Sequence, residues 1–192
     1  SSHLILVSEF LDFKNQSLSI DVSLHIGSFM AVVIYFYKDI ANFFYNKVLF
    51  FKIFISSIPV MIIGLFLVKS GLIEKIRNLE TIAWTTIIFG ILLYISDRFK
   101  LEKEIKNNFS YKSAIFIGFL QILSLVPGVS RSGIAITAAR LLNFKRIDSA
   151  KISFLISIPI LGAVSFFGLK NLIMEENGTL TNVNLISILL SF

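Results

Sequence analysis

The sequence contains no cysteine, two histidines and only three prolines in 192 residues. Without cysteine the chain has no disulfide and no thiolate metal site, and this absence says nothing about its compartment. There is also no close cluster of His, Asp and Glu residues, so we do not expect a metal site built from this chain alone. With 20 phenylalanines and few prolines, the composition argues against disorder.

Charge is scarce as well. Asp, Glu, Lys and Arg make up 16% of the residues, hydrophobic residues 55%, and the mean hydropathy is +0.82. A soluble domain carries about 25% charged residues, because water must wet its surface. The net charge of +6 does not indicate nucleic-acid binding, since Lys and Arg occur in short clusters between apolar stretches. The composition therefore predicts a chain embedded in a bilayer.

Four apolar stretches are long enough to cross a hydrocarbon core of roughly 30 Å. They are 18–37, 48–68, 81–97 and 152–169, and 183–192 resembles the beginning of a fifth. Helix is the expected structure for such runs, because lipid leaves no backbone group unpaired. We therefore predict an all-α polytopic transmembrane bundle, a single integral membrane domain over 1–192. The sequence starts without Met and ends inside an apolar run, so we expect a fragment truncated at both ends.

The stretch 113–144 is interrupted in the middle. Residues 113–126 are apolar, the segment 127–133 reads Pro-Gly-Val-Ser-Arg-Ser-Gly, and a second short apolar run continues to Phe144. Each half is too short to span comfortably. Broken helices occur at membrane depth where they line a protein-enclosed or water-filled cavity. The pattern predicts a re-entrant helix hairpin.

Basic residues indicate the orientation. If the hairpin returns to the side that it leaves, one face carries the loops 38–52, 98–112 and 140–151. The opposite face carries 1–14, 69–80 and 170–182. With Arg131 set aside, the first face holds twelve Lys and Arg residues and the second holds five. The positive-inside rule therefore predicts that the first face is cytoplasmic.

The loop of the hairpin carries the residues best suited to chemistry. Gly128 and Gly133 allow close backbone approach and unusual dihedral angles. Ser130 and Ser132 supply hydroxyls, and Arg131 supplies a permanent cation whose forked donors suit phosphate. A helix starting near Ser132 would direct its free N–H groups at the loop, which favours an anion. An arginine near the membrane midplane is expensive and is expected to be functional, although a structural break with a snorkelling arginine is the alternative.

Two polar positions outside the loop are further candidates. His3 follows Ser2 and precedes an apolar segment. A histidine beside hydroxyls can act as a general acid or base or as a nucleophile, and the alternative is an interfacial histidine without chemistry. Gln121 lies within the first arm of the hairpin, where a polar side chain needs a partner. It faces the site or bonds to a neighbouring helix.

These segments resemble the undecaprenyl-diphosphate phosphatase family, the bacitracin-resistance proteins. Residues 127–133 match its PGxSRSG signature, and 153–159 read SFLISIP, which is similar to its downstream SFLxxIP pattern. Residues 118–121, with the sequence GFLQ, also fit, and the opening 1–6, SSHLIL, resembles the end of its other signature. The resemblance covers essentially the whole chain.

The resemblance implies two inverted-topology repeats, each with a re-entrant hairpin, in the bacterial plasma membrane. It implies hydrolysis of undecaprenyl diphosphate to the monophosphate, which recycles the lipid carrier for peptidoglycan synthesis, in a site open to the periplasm. Arg131 and Ser130 would bind the diphosphate and act with His3 as the catalytic residues. The further substrate-binding positions implied are Ser2, Gln121, Gly128, Ser132 and Gly133.

The resemblance also implies a divalent cation, magnesium or calcium, between the diphosphate and acidic residues that precede residue 1. This chain departs from the family at Ala135, where a threonine is usual, and Thr137 is on a different helical face. The nucleophile, His3 or a serine, is left open, as are the lipid chain length and a homo-oligomeric state. The competing hypothesis is a transporter or flippase of a phosphate-bearing lipid or anion, since broken helices with anion-facing ends also occur in transporters.

Overall fold

The computed structural model describes residues 18–38, 40–41, 46–70, 78–98, 102–175 and 182–192. The helices with defined bounds are α1 (Leu18–Tyr35), α2 (Lys47–Ser70), α3 (Leu79–Asp97), α4 (Ile105–Asn108), α5 (Tyr111–Gln121), the 3-10 turn Ile122–Leu125, α6 (Arg131–Leu141), α7 (Arg146–Glu175) and α8 (Asn182–Ser191). The strand-like pairing within these described ranges is an isolated bridge between Lys103 and Phe144. The predicted all-α class is confirmed.

Three of these helices are long and apolar enough to cross a membrane: Lys47–Val68, Leu79–Asp97 and Arg146–Gly168. They expose large apolar side chains such as Phe66, at 67%, and Trp84, at 61%. A contiguous exposed apolar surface of this kind is unfavourable in water and suits hydrocarbon. The chain is therefore a polytopic membrane protein, and the spans predicted at 48–68, 81–97 and 152–169 are confirmed.

The remaining predicted spans are also helical, but their described apolar parts are shorter. The stretch 18–37 forms α1, in which the apolar helix described is Val22–Tyr35. The stretch 183–192 falls in α8, which is ten residues long.

The chain divides into two compact units, and the first contains α1, α8 and the part of α7 from Ile158 onward. Here Val22 and Ile26 of α1 are buried, with Ile188 of α8 packed against them. Gly27 permits the contact, because a Cβ atom at this position would lie 2.3 Å from the Ile188 carbonyl oxygen. Small residues allow membrane helices to approach closely in this way.

The second unit extends from Asn46 to Ser157 and contains the predicted hairpin. α5 and α6 pack against each other, α2 packs on α5, and α3 packs on α6. Gly118 of α5 lies against α2, since a Cβ atom there would be 2.5 Å from the Ser56 carbonyl oxygen. The hairpin therefore has one flanking helix for each arm.

The two ends of the hairpin lie together. The Lys103 amide donates to the Asn143 carbonyl over 3.0 Å, and the Lys145 amide donates to the Lys103 carbonyl, also over 3.0 Å. The rings of Phe109 and Phe144 meet edge to face at 6.1 Å. Each arm has 11 residues and is about 16 Å long, roughly half of a hydrocarbon core. The two arms therefore begin and end next to each other, and the re-entrant path of this hairpin in the bilayer stays a prediction.

Asp97, at the end of α3, binds two arginines beside these hairpin ends. Arg140 of α6 is 4% exposed, and its Nη2 lies 2.7 Å from the Asp97 carbonyl oxygen and 3.1 Å from Asp97 Oδ1. Arg146, the first residue of α7, donates to both carboxylate oxygens over 2.9 and 2.5 Å. This forked geometry is among the stronger ion-pair arrangements. It joins the far ends of α3 and α6 to the start of α7.

Two helices with an internal proline share a sequence pattern. Residues 54–59 of α2 read FISSIP and residues 154–159 of α7 read FLISIP, with Pro59 and Pro159 inside their helices. A repeated pattern of this kind is expected of an internal repeat. That the chain contains two repeats, and that they have inverted topology, stays a prediction.

Single cysteines at Lys106 and Ile147 test the hairpin, because residues 1–192 contain no cysteine and any cysteine elsewhere in the full-length protein is replaced by serine. We expect Lys106→Cys and Ile147→Cys, in membranes containing the protein at its full natural length, to react with a membrane-impermeant maleimide from the same side. Glu80→Cys, at the opposite end of α3, is the control and should react from the other side. Labelling of the first two positions from opposite sides would make 113–144 a full crossing.

Candidate functional site

The predicted loop is the tip of the hairpin, and it ends in a capped helix. Ser130 is the N-cap of α6, with extended backbone angles, and its Oγ accepts a hydrogen bond of 3.1 Å from the Gly133 amide. The Ser130 and Ser132 hydroxyl oxygens lie 3.2 Å apart. Serine is a favoured N-cap because its oxygen pairs one of the free amides at the helix start. The helix predicted to start near Ser132 begins at Arg131.

Two features require a glycine at position 128, its backbone conformation and the close approach of α3. The φ angle of Gly128 is +95°, a conformation that is strained for a residue with a side chain. A Cβ atom on Gly128 would lie 1.9 Å from Thr85 Oγ1 and 2.7 Å from the Ile82 carbonyl oxygen of α3. The loop backbone therefore rests directly on α3. At Gly133 a Cβ atom would lie 3.1 Å from Ser130 Cβ, so this glycine leaves room for the cap.

Two threonines of α3 bind the loop, and sequence reasoning did not identify them. Thr85 Oγ1 lies 2.6 Å from the Pro127 carbonyl oxygen, and Thr86 Oγ1 lies 3.3 Å from the Gly128 carbonyl oxygen. The available signal was a pair of adjacent hydroxyls inside an apolar span, since polar groups in lipid need partners. Nothing in the sequence indicates that their partners lie 42 residues away.

Arg131 differs from the arginines that pair with Asp97. It is half-buried, and within the described ranges its guanidinium makes no hydrogen bond or ion pair. The backbone amides of Arg131 and Ser132 likewise have no acceptor in the described part of the chain. A cation, two amides without an acceptor at a helix start and two serine hydroxyls thus occur within three consecutive residues, a combination that suits an anion. The forked donors of arginine suit the oxygens of a phosphate group.

The other predicted site residues have different positions. Gln121 ends α5 and is 1% exposed, and its Oε1 has no hydrogen-bond partner among the residues described. Ser153 of α7 is buried, and its hydroxyl donates to the Ser132 carbonyl over 3.3 Å, which supports the start of α6. His3 and Ser2 lie outside the described residues.

The position where this chain departs from the family pattern is buried in α6. Ala135 is 1% exposed. The Thr137 hydroxyl donates to the Gly133 carbonyl of its own helix over 2.8 Å, as threonines inside helices often do. That hydroxyl is therefore already occupied by the helix backbone.

The described residues do not fit a divalent cation. Within the ranges given above there is no group of three or more His, Cys, Asp or Glu side chains close enough to hold one. Magnesium and calcium prefer carboxylate and carbonyl oxygens, whereas the loop from Pro127 to Gly133 offers hydroxyls and a cation.

Comparison with known proteins gives a consistent result over the whole chain. The family model described as Bacitracin resistance protein BacA matches residues 1–192. The chain is 47% identical to the Undecaprenyl-diphosphatase of Pelagibacter ubique (strain HTCC1062), over all of this chain and 75% of that protein. It is 34% identical to the protein of the same name from Jannaschia sp. (strain CCS1), over 100% of this chain and 77% of that protein. The Undecaprenyl-diphosphatase of Saccharophagus degradans is 39% identical, over 96% of this chain and 72% of that protein.

The contact between Gly128 and α3 predicts that alanine substitution has very different effects on stability at two glycines. Gly128→Ala should lower the stability of the protein by roughly 2 kcal/mol or more, because of its positive φ angle and the overlap with α3. The matched control is Gly90→Ala, a substitution within α3 itself, since a Cβ atom on Gly90 meets nothing within 4 Å. Thermal unfolding in detergent measures both. Equal melting temperatures for the two variants would contradict the close approach of the loop to α3.

Proposed function

The chain belongs to the bacitracin resistance protein BacA family, and on that premise we propose that it hydrolyses undecaprenyl diphosphate to undecaprenyl phosphate and inorganic phosphate. The relatives named Undecaprenyl-diphosphatase support this reaction. In this proposal the product returns as a lipid carrier to peptidoglycan synthesis. The observation that carries the proposal is the Arg131 site, an anion site at a helix start in a membrane protein.

Arg131 is the residue that binds the diphosphate. Its guanidinium can donate to two phosphate oxygens at once, which fixes orientation as well as charge. Ser130 and Ser132 add hydroxyls, and the start of α6 adds backbone amides. In a low-dielectric setting such donors stabilise developing negative charge far better than in water.

The reaction breaks the bond between the terminal phosphorus and the oxygen that bridges the two phosphates. The terminal phosphoryl group passes, directly or through a nucleophile, to water, and undecaprenyl phosphate leaves with the bridging oxygen. Charge grows on the phosphate oxygens as this bond breaks, and Arg131 neutralises it. Ser130 Oγ accepts from the Gly133 amide and shares one hydrogen bond with Ser132 Oγ, so one hydrogen of this hydroxyl pair can be donated to a phosphate oxygen, which favours binding over attack. His3 is the candidate acid, base or nucleophile.

The membrane orientation is part of the proposal. Exposed basic residues gather where the hairpin begins and ends, at Lys103, Lys106, Lys112, Lys145 and Arg146. By the positive-inside rule this end is cytoplasmic. The tip of the hairpin then lies near the middle of the plasma membrane, and the site opens toward the periplasm. A lipid substrate reaches such a site with its chain in the bilayer and its diphosphate at the Arg131 loop.

A divalent cation, magnesium or calcium, belongs to the proposal through the family resemblance. Its acidic ligands would come from residues other than those described at the loop. When bound, such an ion neutralises phosphate charge. The residues of the loop need no metal to bind an anion, so their proposed roles are independent of its identity.

The enzyme proposal is tested by phosphate release from a polyprenyl diphosphate, with the protein at its full natural length in detergent. Arg131→Ala should lower kcat/KM by about two orders of magnitude or more, as expected when a partner of the transition-state charge is removed. Arg131→Lys keeps the charge without the forked donors and should recover only part of the activity. Arg98→Ala is the matched control, because Arg98 is exposed and bonded to Tyr94 at the end of α3.

Each part of this assay can contradict one element of the proposal. Absence of release by folded wild-type protein would remove the phosphatase and favour the transporter, which uptake of a labelled lipid into vesicles would then test. Equal loss in Arg131→Ala and Arg98→Ala would remove the specific role of Arg131. A chelator arm tests the cation: release that is unaffected by chelation would remove it from the proposal.

A further inference from the structure

Thr85 and Thr86 form a hydroxyl pair on α3 that the chemistry of the site does not use. They lie in the apolar middle of α3, a helix long and apolar enough to cross a membrane, whose side chains are largely exposed. The two hydroxyls face two successive carbonyls of the loop, Pro127 over 2.6 Å and Gly128 over 3.3 Å. Adjacent donors that match adjacent acceptors on another segment make a directed contact.

The shorter bond satisfies a group that has few other partners. Within the described residues, Thr85 is the donor found for the Pro127 carbonyl. The Thr85 hydroxyl also lies 2.7 Å from the Thr81 carbonyl, one turn earlier in α3. That carbonyl already belongs to the helix ladder, whereas a loop carbonyl in an apolar setting is costly to leave unpaired. The Thr85 hydrogen is therefore most useful on Pro127.

The orientation of these carbonyls matters because the loop precedes an anion site. In a trans peptide the carbonyl oxygen and the following N–H point in opposite directions. Holding the Pro127 and Gly128 oxygens on α3 keeps two partial negative charges directed at that helix. It also sets the direction from which the chain reaches Ser130 and Arg131. A loop released from α3 is free to turn these oxygens toward the bound phosphates.

The steric fit makes the contact specific. A Cβ atom added to Gly128 would lie only 1.9 Å from Thr85 Oγ1. The glycine backbone and the threonine hydroxyl are therefore in direct contact. The same threonine therefore touches the loop at two successive residues. Of the two α3 threonines that bind the loop, Thr85 makes the shorter hydrogen bond.

We propose that Thr85 is a positioning residue, whose hydroxyl holds the Pro127–Gly128 backbone on α3 and thereby orients the Arg131 anion site; this inference rests on the proposed function. Thr86 contributes a longer and weaker bond. Loss of the Thr85 hydroxyl moves the phosphate-binding groups relative to the reacting phosphorus. Small displacements of this kind affect the catalytic step more than the folding of the protein.

The test compares Thr85→Val, which replaces the hydroxyl by a methyl group of similar size, with Thr85→Ser, which keeps the hydroxyl. Thr85→Val should lower kcat by roughly ten- to a hundredfold, and Thr85→Ser should stay close to the wild type. Thr81→Val is the matched control, since it makes the same change one turn away in α3, and no hydrogen bond joins the Thr81 side chain to the described loop. If Thr85→Val does not fold, Thr85→Ala takes its place, because alanine also lacks the hydroxyl and has a smaller side chain.

Hydrogen–deuterium exchange of peptides covering 122–133 supplies a readout that does not depend on activity. Thr85→Val should raise exchange in this loop, and Thr81→Val should not. If wild-type protein releases no phosphate, the proposed function fails while the exchange data still decide whether Thr85 holds the loop. Unchanged kcat in Thr85→Val overturns the positioning role, whatever the exchange. An equal loss of kcat in Thr81→Val, or failure of Thr85→Ser to retain activity, also overturns it.

Discussion

The contact between the loop backbone at Gly128 and helix α3 is the constraint on which the rest of the site depends. Without a side chain at this position, the loop reaches α3 closely enough for Thr85 to bind the Pro127 carbonyl. The next residues then pass into α6, where Ser130 caps the helix and Arg131 begins it. A larger residue at Gly128 would move the loop outward, and with it the groups that we propose bind phosphate.

Helix α3 holds the second arm of the hairpin at both ends, and the two contacts differ in chemistry. At the tip the contact is steric and uses neutral hydroxyls. At the base Asp97 binds Arg140 and Arg146. The single negative charge of Asp97 offsets one of these two positive charges, and its oxygens accept hydrogen bonds from both arginines, which suits a structural role. Arg131 has no such partner among the described residues, so its charge is available to a ligand. The paired arginines therefore lie at the base of the hairpin, and the arginine of the proposed anion site lies at its tip.

Most of the architecture could be predicted from local patterns. Long apolar runs identified α2, α3 and α7, and the Pro-Gly pair at 127–128 marked the break between α5 and α6, because hydropathy and helix breaking act over neighbouring residues. The cap at Ser130 follows from the same local chemistry. The support from Thr85 could not be predicted, since its partner is 42 residues away and the contact requires a φ angle of +95°. Burial of Gln121 also depends on packing between helices, and the roles of His3 and Ser2 concern residues outside the described ranges.

The central claim is that Arg131, at the start of α6, binds the phosphates of the lipid substrate. It is tested most directly by a cryo-electron microscopy structure of the protein with a methylene-bridged diphosphonate analogue of the lipid, which cannot be cleaved. Our account predicts phosphonate oxygens at about 3 Å from the Arg131 guanidinium and from Ser130 Oγ or the first amides of α6. It also predicts that the Thr85 hydroxyl stays on the Pro127 carbonyl. An analogue bound elsewhere, for example between Arg140 and Arg146, with Arg131 free of it, would contradict the account.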